Sequence, residues 1–299
     1  MIDRRSLLQA TAASLALTGL ATPARADGRF KSGDVEIFYR SFGKPGKTPI
    51  VLMHGANYFD SFDWINVATQ IAADREVACF DMRGFGESGW SPSKNYSVDA
   101  MMGDIRGLFA HLGWNKPIVL GHSFSGRLAV SFASNFPDEL SKLIVIDSAF
   151  GRDEPGPKGV NNPPVIFPTV EACMERFARL ANQPRISKDR ARAEQALTKV
   201  PEGYRLKRDP DYSNSMPVGV PADVRPRREL NVWEELAKVK VAMYFVRGLK
   251  SDRFTPDVMA RLDKDFSKIV WATADSWHDI PFYAPDELIA AVKKFIAEA

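Results

Sequence analysis

The sequence predicts an α/β protein with a mainly parallel sheet that helices cover on both faces. Short apolar runs alternate with segments whose apolar residues recur at helical spacing, and this alternation is typical of such sheets. The 299 residues suit one large domain, and 45% hydrophobic with 26% charged residues is ordinary for a globular protein. The alternation stops once, over the proline-rich residues 151–231, which indicates an insertion into that domain.

The predicted strands are short apolar runs bounded by turn residues. They are Val35–Phe42, Pro49–His54, Glu76–Asp81, Pro117–Gly121, Leu143–Ile146, Val241–Arg247 and Lys268–Ala272. The first run alternates polar and apolar residues and is expected to be antiparallel to its neighbours. Helices are predicted where apolar residues recur at helical spacing, at Val98–Leu112, Phe124–Phe136, Pro256–Phe266 and Pro285–Ala297.

The insertion at residues 151–231 separates two parts of the predicted domain, residues 27–150 and 232–299. One amphipathic helix is expected near Val170–Leu180 and a second near Ser187–Thr198. Basic residues cluster in the insertion, at Arg205, Lys207, Arg208, Arg225, Arg227 and Arg228. These clusters form either a solvent-exposed charged face or a surface for an anionic or polar substrate.

The first 26 residues have the order of segments found in an export signal. Arg4 and Arg5 precede an apolar run, Leu7–Ala21, and small residues follow at Ala24-Arg25-Ala26. The paired arginines resemble a twin-arginine signal of bacteria, so we expect cleavage and a periplasmic or secreted protein. The alternative is an uncleaved anchor or a helical arm, although the apolar run is short and polar for a membrane span.

Composition excludes several other kinds of protein. A net charge of +3 leaves no footprint for nucleic acid, and we expect no membrane association once the signal is cleaved. Cys79 and Cys173 are too few for a disulfide framework, and Cys79 lies in an apolar run as a core thiol would. We expect a small-molecule substrate and neither a cofactor nor a metal. The oligomeric state is left open.

The candidate nucleophile is Ser123, which lies in Gly121-His122-Ser123-Phe124-Ser125-Gly126 between a predicted strand and a predicted helix. A serine on so sharp a turn is pushed outward above the sheet edge, and only small residues fit two positions before and after it. Gly121 and Ser125 meet that size rule, although glycine is the more common residue at the second position. The following helix directs its first N–H groups at Ser123.

A serine hydroxyl needs a base beside it. Of the four histidines, His278 follows the last predicted strand, where parallel sheets place their chemistry, so it is the candidate base. His54 is expected to shape its loop, His111 to lie on the surface and His122 to face the interior.

Two aspartates compete for the acid that orients His278. Both follow a strand that lies between nucleophile and base in chain order, and we select Asp252, which lies just beyond the strand Val241–Arg247. Asp147 follows the strand Leu143–Ile146 and is the alternative. Either carboxylate would accept the imidazole N–H and stabilise the imidazolium.

An oxyanion intermediate needs two N–H donors. We expect one from Phe124, the residue after the nucleophile, and one from Ala56, with Asn57 as the alternative. Asn57, in the same loop, is also a candidate substrate-binding residue, and Trp277 and Phe150 are candidates because aromatic side chains could line an apolar acyl pocket.

Taken together, these features resemble the α/β-hydrolase superfamily, and within it the cap-bearing esterases and lactonases. The motifs that carry the resemblance occur in the family's order: His54-Gly55, Asp81–Ser88, the Ser123 turn, Gly248 with Asp252, and His278. The resemblance covers residues 30–150 and 240–297 well, and the insertion poorly. It implies an eight-stranded sheet, a helical cap over the site and a structural role for Asp81–Ser88. Members that open epoxides or remove halides carry Asp where this chain has Ser123.

Three functions follow from these observations. The first is hydrolysis of a carboxylic ester or lactone through an acyl-enzyme. The second keeps the triad but cleaves a C–C or amide bond, or performs perhydrolysis. The third is a ligand-binding or sensor protein with little turnover.

Overall fold

The computed structural model of the protein describes residues 25–150, 166–180, 182–214 and 231–297. Its central sheet has eight strands, which confirms the predicted fold class. Numbered along the chain, these strands are β1 (Arg25–Ser32), β2 (Val35–Phe42), β3 (Lys47–Met53), β4 (Arg75–Phe80), β5 (Ile118–His122), β6 (Lys142–Ile146), β10 (Ala242–Gly248) and β11 (Val270–Ala274). The predicted signal lies outside the described residues apart from its last two, which begin β1.

The strand order across the sheet is β1-β2-β4-β3-β5-β6-β10-β11. β2 is antiparallel to both β1 and β4, as its alternating sequence predicts, and the pairs from β4 to β11 are parallel. The carboxyl ends of β3, β5, β6, β10 and β11 therefore meet at one edge of the sheet, where the candidate catalytic residues lie.

The described helices are α1 (Ile65–Ile71), α2 (Val98–Leu112), α3 (Phe124–Asn135), α4 (Val170–Ala178), α5 (Arg190–Gln195), α6 (Pro210–Asn214), α7 (Val232–Leu236), α8 (Pro256–Asp265), α9 (Ile280–Tyr283) and α10 (Pro285–Ala297). α2 and α10 have the predicted bounds. The hydroxyl of Ser97 accepts the N–H of Ala100 where α2 begins, and Gly113, at φ 67°, ends that helix. None of the helices in the described part of the chain has both the length and the apolar sequence that a bilayer crossing requires.

Two apolar cores lie on opposite faces of the central sheet. Along β3, Val51 and Met53 contribute to the core that α2, α3, α7 and α8 cover, whereas Ile50 and Leu52 contribute to the core under α1 and α10. This division follows from the two-residue period of a strand. The part of β3 that has an apolar core on each face has no polar positions, which is why Ile50–Met53 is continuously apolar.

The insertion contains a second sheet that the sequence did not predict. Its strands are β7 (Ile166–Phe167), β8 (Leu197–Val200) and β9 (Gly203–Leu206), antiparallel in the order β7-β9-β8. The prediction of a helix over Ser187–Thr198 is therefore wrong in extent, since α5 ends at Gln195. Cys173 on α4 and Cys79 on β4 are both buried and form no disulfide.

A buried ion pair joins the insertion to the segment after β3. Arg192 on α5 is 1% exposed, and its Nε and Nη2 donate to the two carboxylate oxygens of Asp63 at 2.8 Å each. Nη2 also donates to the carbonyl of Tyr58 at 2.7 Å and lies 3.3 Å from Asp60 Oδ2. Such a bidentate contact fixes the orientation of the two side chains as well as their distance, so Arg192 helps to position the insertion relative to the segment after β3.

Replacing Arg192 with methionine should lower the free energy of unfolding by about 3–5 kcal/mol, because Asp60 and Asp63 would stay buried without their cation. Urea denaturation measures the change. The matched control is Arg190→Met, which removes an exposed arginine two residues away and should leave the unfolding midpoint almost unchanged because its ion pairs are screened by water. Equal unfolding midpoints for the two variants would contradict this role of Arg192.

Candidate active site

Ser123 lies on a strained turn between β5 and α3. Its backbone has φ 57° and ψ −119°, a conformation that non-glycine residues rarely adopt. A side chain at Gly121 would collide with the backbone of Ser125, which explains the glycine two positions before. Ser125, two positions after, is fully buried, and its hydroxyl donates to the carbonyl of Met53 at 2.8 Å. That hydrogen bond allows a serine where glycine is more common.

The structure brings Ser123 and His278 together across 155 residues of sequence. The Ser123 Oγ and the His278 Nε2 are 2.9 Å apart, and His278 is 3% exposed. On the other side of the ring, Nδ1 lies 2.7 Å from Oδ2 of Asp147, which is fully buried. The geometry lets the imidazole accept the serine proton at Nε2 while Nδ1–H donates to the carboxylate.

The choice of Asp252 as the partner of His278 is wrong in this structure. The Asp252 side chain is 60% exposed and its Oδ1 lies 3.3 Å from Nε of Arg253. Asp147, the alternative, is held toward His278 by two further donors. The N–H of Gly248 reaches its Oδ1 at 3.0 Å, and the hydroxyl of Ser251 donates to its Oδ2 at 2.5 Å.

Burial controls the protonation of this group of residues. It lowers the pKa of His278 well below its usual 6.5, and the nearby Arg253 lowers it further, while Asp252 opposes them. Burial raises the pKa of Asp147 to about 6, against hydrogen bonds from Ser251 and Gly248 that lower it. His278 is therefore a neutral base at neutral pH, which is the form that can accept a proton.

The other histidines have structural surroundings. His122 is buried, its Nε2 donates to the carbonyl of His278 at 2.9 Å, and burial lowers its pKa to about 3. It stays neutral and holds the loop that carries the base. His54 is buried, accepts the N–H of Met82 and donates to the carbonyl of Gly55. His111 is exposed at the end of α2.

The loop after β3 lies directly against the nucleophile. A Cβ added to Gly55 would be 3.2 Å from Cβ of Ser123 and 2.7 Å from the ring of Phe59. The backbone at Gly55 therefore lies closer to Ser123 and Phe59 than a residue with a side chain would permit. Ala56 follows it, and Asn57 turns the chain with φ 71°. Phe124 is the first residue of α3, where an N–H has no acceptor within the helix. The loop after β3 and the start of α3 thus both lie next to Ser123.

The three candidate substrate-binding residues have different surroundings. Phe150 is 1% exposed and stacks on Phe245 in the core, so its prediction as a pocket residue is wrong. Trp277 is 36% exposed beside His278. The side-chain oxygen of Asn57 accepts a hydrogen bond from Arg208 of the insertion at 3.0 Å.

Two arginines near the site gave no signal in the sequence. Arg253 lies in the loop after β10, and Arg127 lies four residues after Ser123 on α3. A single arginine in a loop or on a helix is most often a surface residue, so only coordinates distinguish these two from the others.

Comparison with known proteins identifies the family. A family profile for the alpha/beta hydrolase fold matches residues 48–285 of the chain. The chain belongs to this family. Among relatives of this α/β-hydrolase, epoxide hydrolase 4 of Mus musculus is 31% identical over 121 residues, covering 40% of this chain and 33% of that protein. The matched region thus spans about a third of the length of that relative.

Other similarities extend over most of the α/β-hydrolase chain. An uncharacterized hydrolase of Bacillus subtilis is 21% identical over 278 residues, covering 90% of this chain and 97% of that protein. The crystal structure of an enol-lactonase from Burkholderia xenovorans superposes with a TM-score of 0.69 at 16% identity, covering 91% of this chain and all of that one. At that identity the likeness shows a shared fold.

Proposed function

We propose that this α/β-hydrolase is a cap-bearing serine hydrolase that cleaves a carboxylic ester or a lactone through an acyl-enzyme. The observation that carries the proposal is the continuous contact from Ser123 through His278 to Asp147, at 2.9 and 2.7 Å. In this order the neutral imidazole can accept the proton of the hydroxyl, and the buried carboxylate stabilises the imidazolium, so the serine is activated as a nucleophile. The fold shared with an enol-lactonase is consistent with this class of substrate.

The proposed reaction has two halves. Ser123 attacks the substrate carbonyl while His278 takes its proton, and Asp147 stabilises the imidazolium that results. The N–H groups of Phe124 and Ala56 hold the negatively charged oxygen. His278 then protonates the departing alcohol, and water, activated by the same imidazole, releases the acid and restores the Ser123 hydroxyl.

The nucleophile distinguishes this proposal from the chemistry named for the mouse relative. Epoxide-opening members of the superfamily carry Asp at the position of Ser123. Here the residue is a serine whose hydroxyl contacts a base, an arrangement suited to attack on a carbonyl. Epoxide hydrolysis is therefore not proposed.

A fluorophosphonate probe and a panel of esters test the proposal. The protein should be labelled at Ser123, as peptide mass spectrometry would show, and should turn over p-nitrophenyl acetate or one of a series of esters and lactones. Slow labelling without steady-state turnover would instead indicate a binding or sensor protein. Turnover of amides or C–C substrates, with esters untouched, would indicate the second class of reaction.

The rate should fall at acidic pH as Asp147 and then His278 become protonated. Burial raises the pKa of Asp147 to about 6, and burial and Arg253 lower the pKa of His278 well below 6.5, so kcat/KM should be level near neutrality and decline only below 6.5. Initial rates between pH 4 and 9, with folding checked by circular dichroism, measure the profile. An acid limb centred above pH 7 would contradict a desolvated His278.

We also propose that residues 1–26 direct export. Expression of the full chain in a bacterium should yield a periplasmic protein whose N-terminal residue, by Edman sequencing, is Asp27. Replacing both Arg4 and Arg5 with lysine should leave the protein in the cytoplasm, because the paired arginines are what a twin-arginine translocase reads. A periplasmic protein that keeps residue 1 would indicate an uncleaved anchor.

A further inference from the structure

The loop after β3 is held at its start by His54. The Nε2 of His54 accepts the N–H of Met82 at 2.9 Å, so the ring hydrogen lies at Nδ1, which donates to the carbonyl of Gly55 at 2.7 Å. That carbonyl shares a planar trans peptide with the N–H of Ala56, and the two groups point in opposite directions. Fixing the carbonyl therefore fixes the direction of the N–H that is proposed to hold the oxyanion.

Beyond Ala56, the same loop is held by the insertion through Asn57. Asn57 has φ 71°, in the left-handed region that asparagine adopts more readily than most residues. Its Oδ1 accepts a hydrogen bond from Nη1 of Arg208 at 3.0 Å, across 151 residues of sequence. Arg208 is 1% exposed, so water competes little for this bond from a charged donor. The loop is thus fixed on both sides of Ala56.

The backbone at Arg208 is itself bound to the hydrolase domain. Residues 207–209 pair with residues 84–86 as a short antiparallel bridge, with one backbone hydrogen bond of 2.7 Å on each side of Arg208. The carboxylate of Asp209 also accepts the hydroxyl of Tyr96. The side chain of Arg208 therefore reaches the loop after β3 from a fixed point, and its length sets where that loop is held.

The same part of the insertion also contacts the residue expected to supply the second N–H. The ring of Tyr212 on α6 meets the ring of Phe124 edge to face, with the centroids 6.3 Å apart and the planes at 90°. On its other side Tyr212 packs against Phe85, at 4.6 Å between centroids. The insertion therefore contacts the expected oxyanion site from both sides, through Arg208 and through Tyr212.

We propose that Arg208 is a positioning residue of the oxyanion site: by holding Asn57, it keeps the N–H of Ala56 directed at the oxygen that becomes charged. The inference rests on the proposed hydrolase function and gives the insertion a part in the reaction. Donors stabilise an oxyanion best when they are oriented before the charge develops. A loop released at Asn57 would lose part of that orientation, so the bond from Arg208 contributes to the rate.

Replacing Arg208 with methionine tests this role through the rate constants. We expect kcat to fall by about 10- to 100-fold, because the donor remains but is misdirected, while KM changes little. The fall should be equal for p-nitrophenyl acetate and for the anionic ester 4-acetoxybenzoate. Arg190→Met, which removes an exposed arginine of α5, is the control and should keep both constants. An unchanged kcat, or a raised KM for the anionic ester alone, would overturn the role.

A second variant removes the same hydrogen bond from its other end. Asn57 is only partly buried, and glycine adopts φ 71° without strain, so Asn57→Gly should fold even if Arg208→Met does not. It should lower kcat in the same range. If Arg208 acts through Asn57, the double variant should lose no more than the larger of the two single losses. Losses that multiply would show that Arg208 acts by another route and would overturn the proposal.

Amide hydrogen exchange separates failure of this inference from failure of the proposed function, because it needs no turnover. In Arg208→Met and in Asn57→Gly, the peptide that contains residues 55–58 should exchange about 10-fold faster or more, as expected for the loss of a hydrogen bond to a charged group. Faster exchange in these variants and not in Arg190→Met would support the positioning role even if Ser123 proved unreactive. Ester turnover by the natural protein, with exchange and kcat unchanged in the variants, would overturn the role and leave the hydrolase intact.

Discussion

Replacing Ser123 with alanine should lower kcat by about 10⁴- to 10⁶-fold while the protein remains folded. Among the residues that the structure describes, this hydroxyl is the nucleophile in contact with His278 Nε2, so its loss removes the covalent step and leaves the oxyanion donors and substrate binding. Alanine adopts the strained backbone at φ 57° no less readily than serine, so little change in folding is expected. Steady-state rates and a thermal unfolding curve measure both effects.

Ser267→Ala is the matched control, because Ser267 is exposed in the loop before β11 and its loss should leave the rate unchanged. The Ser123 variant should also lose labelling by the fluorophosphonate. If it kept a tenth of the activity of the natural protein, or was still labelled at the same peptide, the nucleophile would be another residue.

The fold could be predicted where burial alone decides the sequence. β3, β5 and β6 are covered on both faces, so their central segments Ile50–Met53, Ile118–Leu120 and Leu143–Ile146 are continuously apolar. α2 and α10 show the apolar stripe of a helix with one buried face. β1 was missed because its first residues coincide with the end of the predicted signal, and its pairing with β2 is a tertiary contact.

The insertion shows where local sequence misleads. Residues 187–198 contain alanine, arginine, glutamate and glutamine, all good helix formers, yet the helix stops at Gln195 and β8 follows. The strand exists because it pairs with β9, which in turn pairs with β7. Pairing partners distant in sequence decide such a segment, and intrinsic propensity does not reveal them.

In the site, chain order was enough to select Ser123 and His278 for the pair that the structure places in contact. It could not choose the acid, because β6 and β10 are parallel neighbours and both Asp147 and Asp252 follow their carboxyl ends at the same edge. The path of each loop decides between them. Phe150 likewise lies near a strand end, but its ring turns into the core.

Asp147→Asn should lower kcat by about 10²- to 10⁴-fold, whereas Asp252→Asn should change it by less than about threefold. The asparagine keeps the size of the side chain and an oxygen for the N–H of Gly248, so the loop should hold its shape. It carries no charge to stabilise the imidazolium. Its amide N–H₂ is a donor, so it disfavours the ring tautomer that carries its hydrogen at Nδ1. Rates at the pH optimum, compared for the two variants and the natural protein, test the choice of acid.

The pH profile of Asp252→Asn shows whether Asp252 takes part in the reaction or only influences the pKa of His278. The charge of the Asp252 carboxylate raises the pKa of His278, so its removal should move the acid limb of kcat/KM to lower pH and leave the plateau where it was. For Asp147→Asn the plateau itself should fall, because the lost charge stabilises the imidazolium formed during the reaction. If Asp252→Asn lowered the plateau more than Asp147→Asn did, the loop after β10 would have to supply the acid, and the contact between Asp147 and His278 would be a structural one.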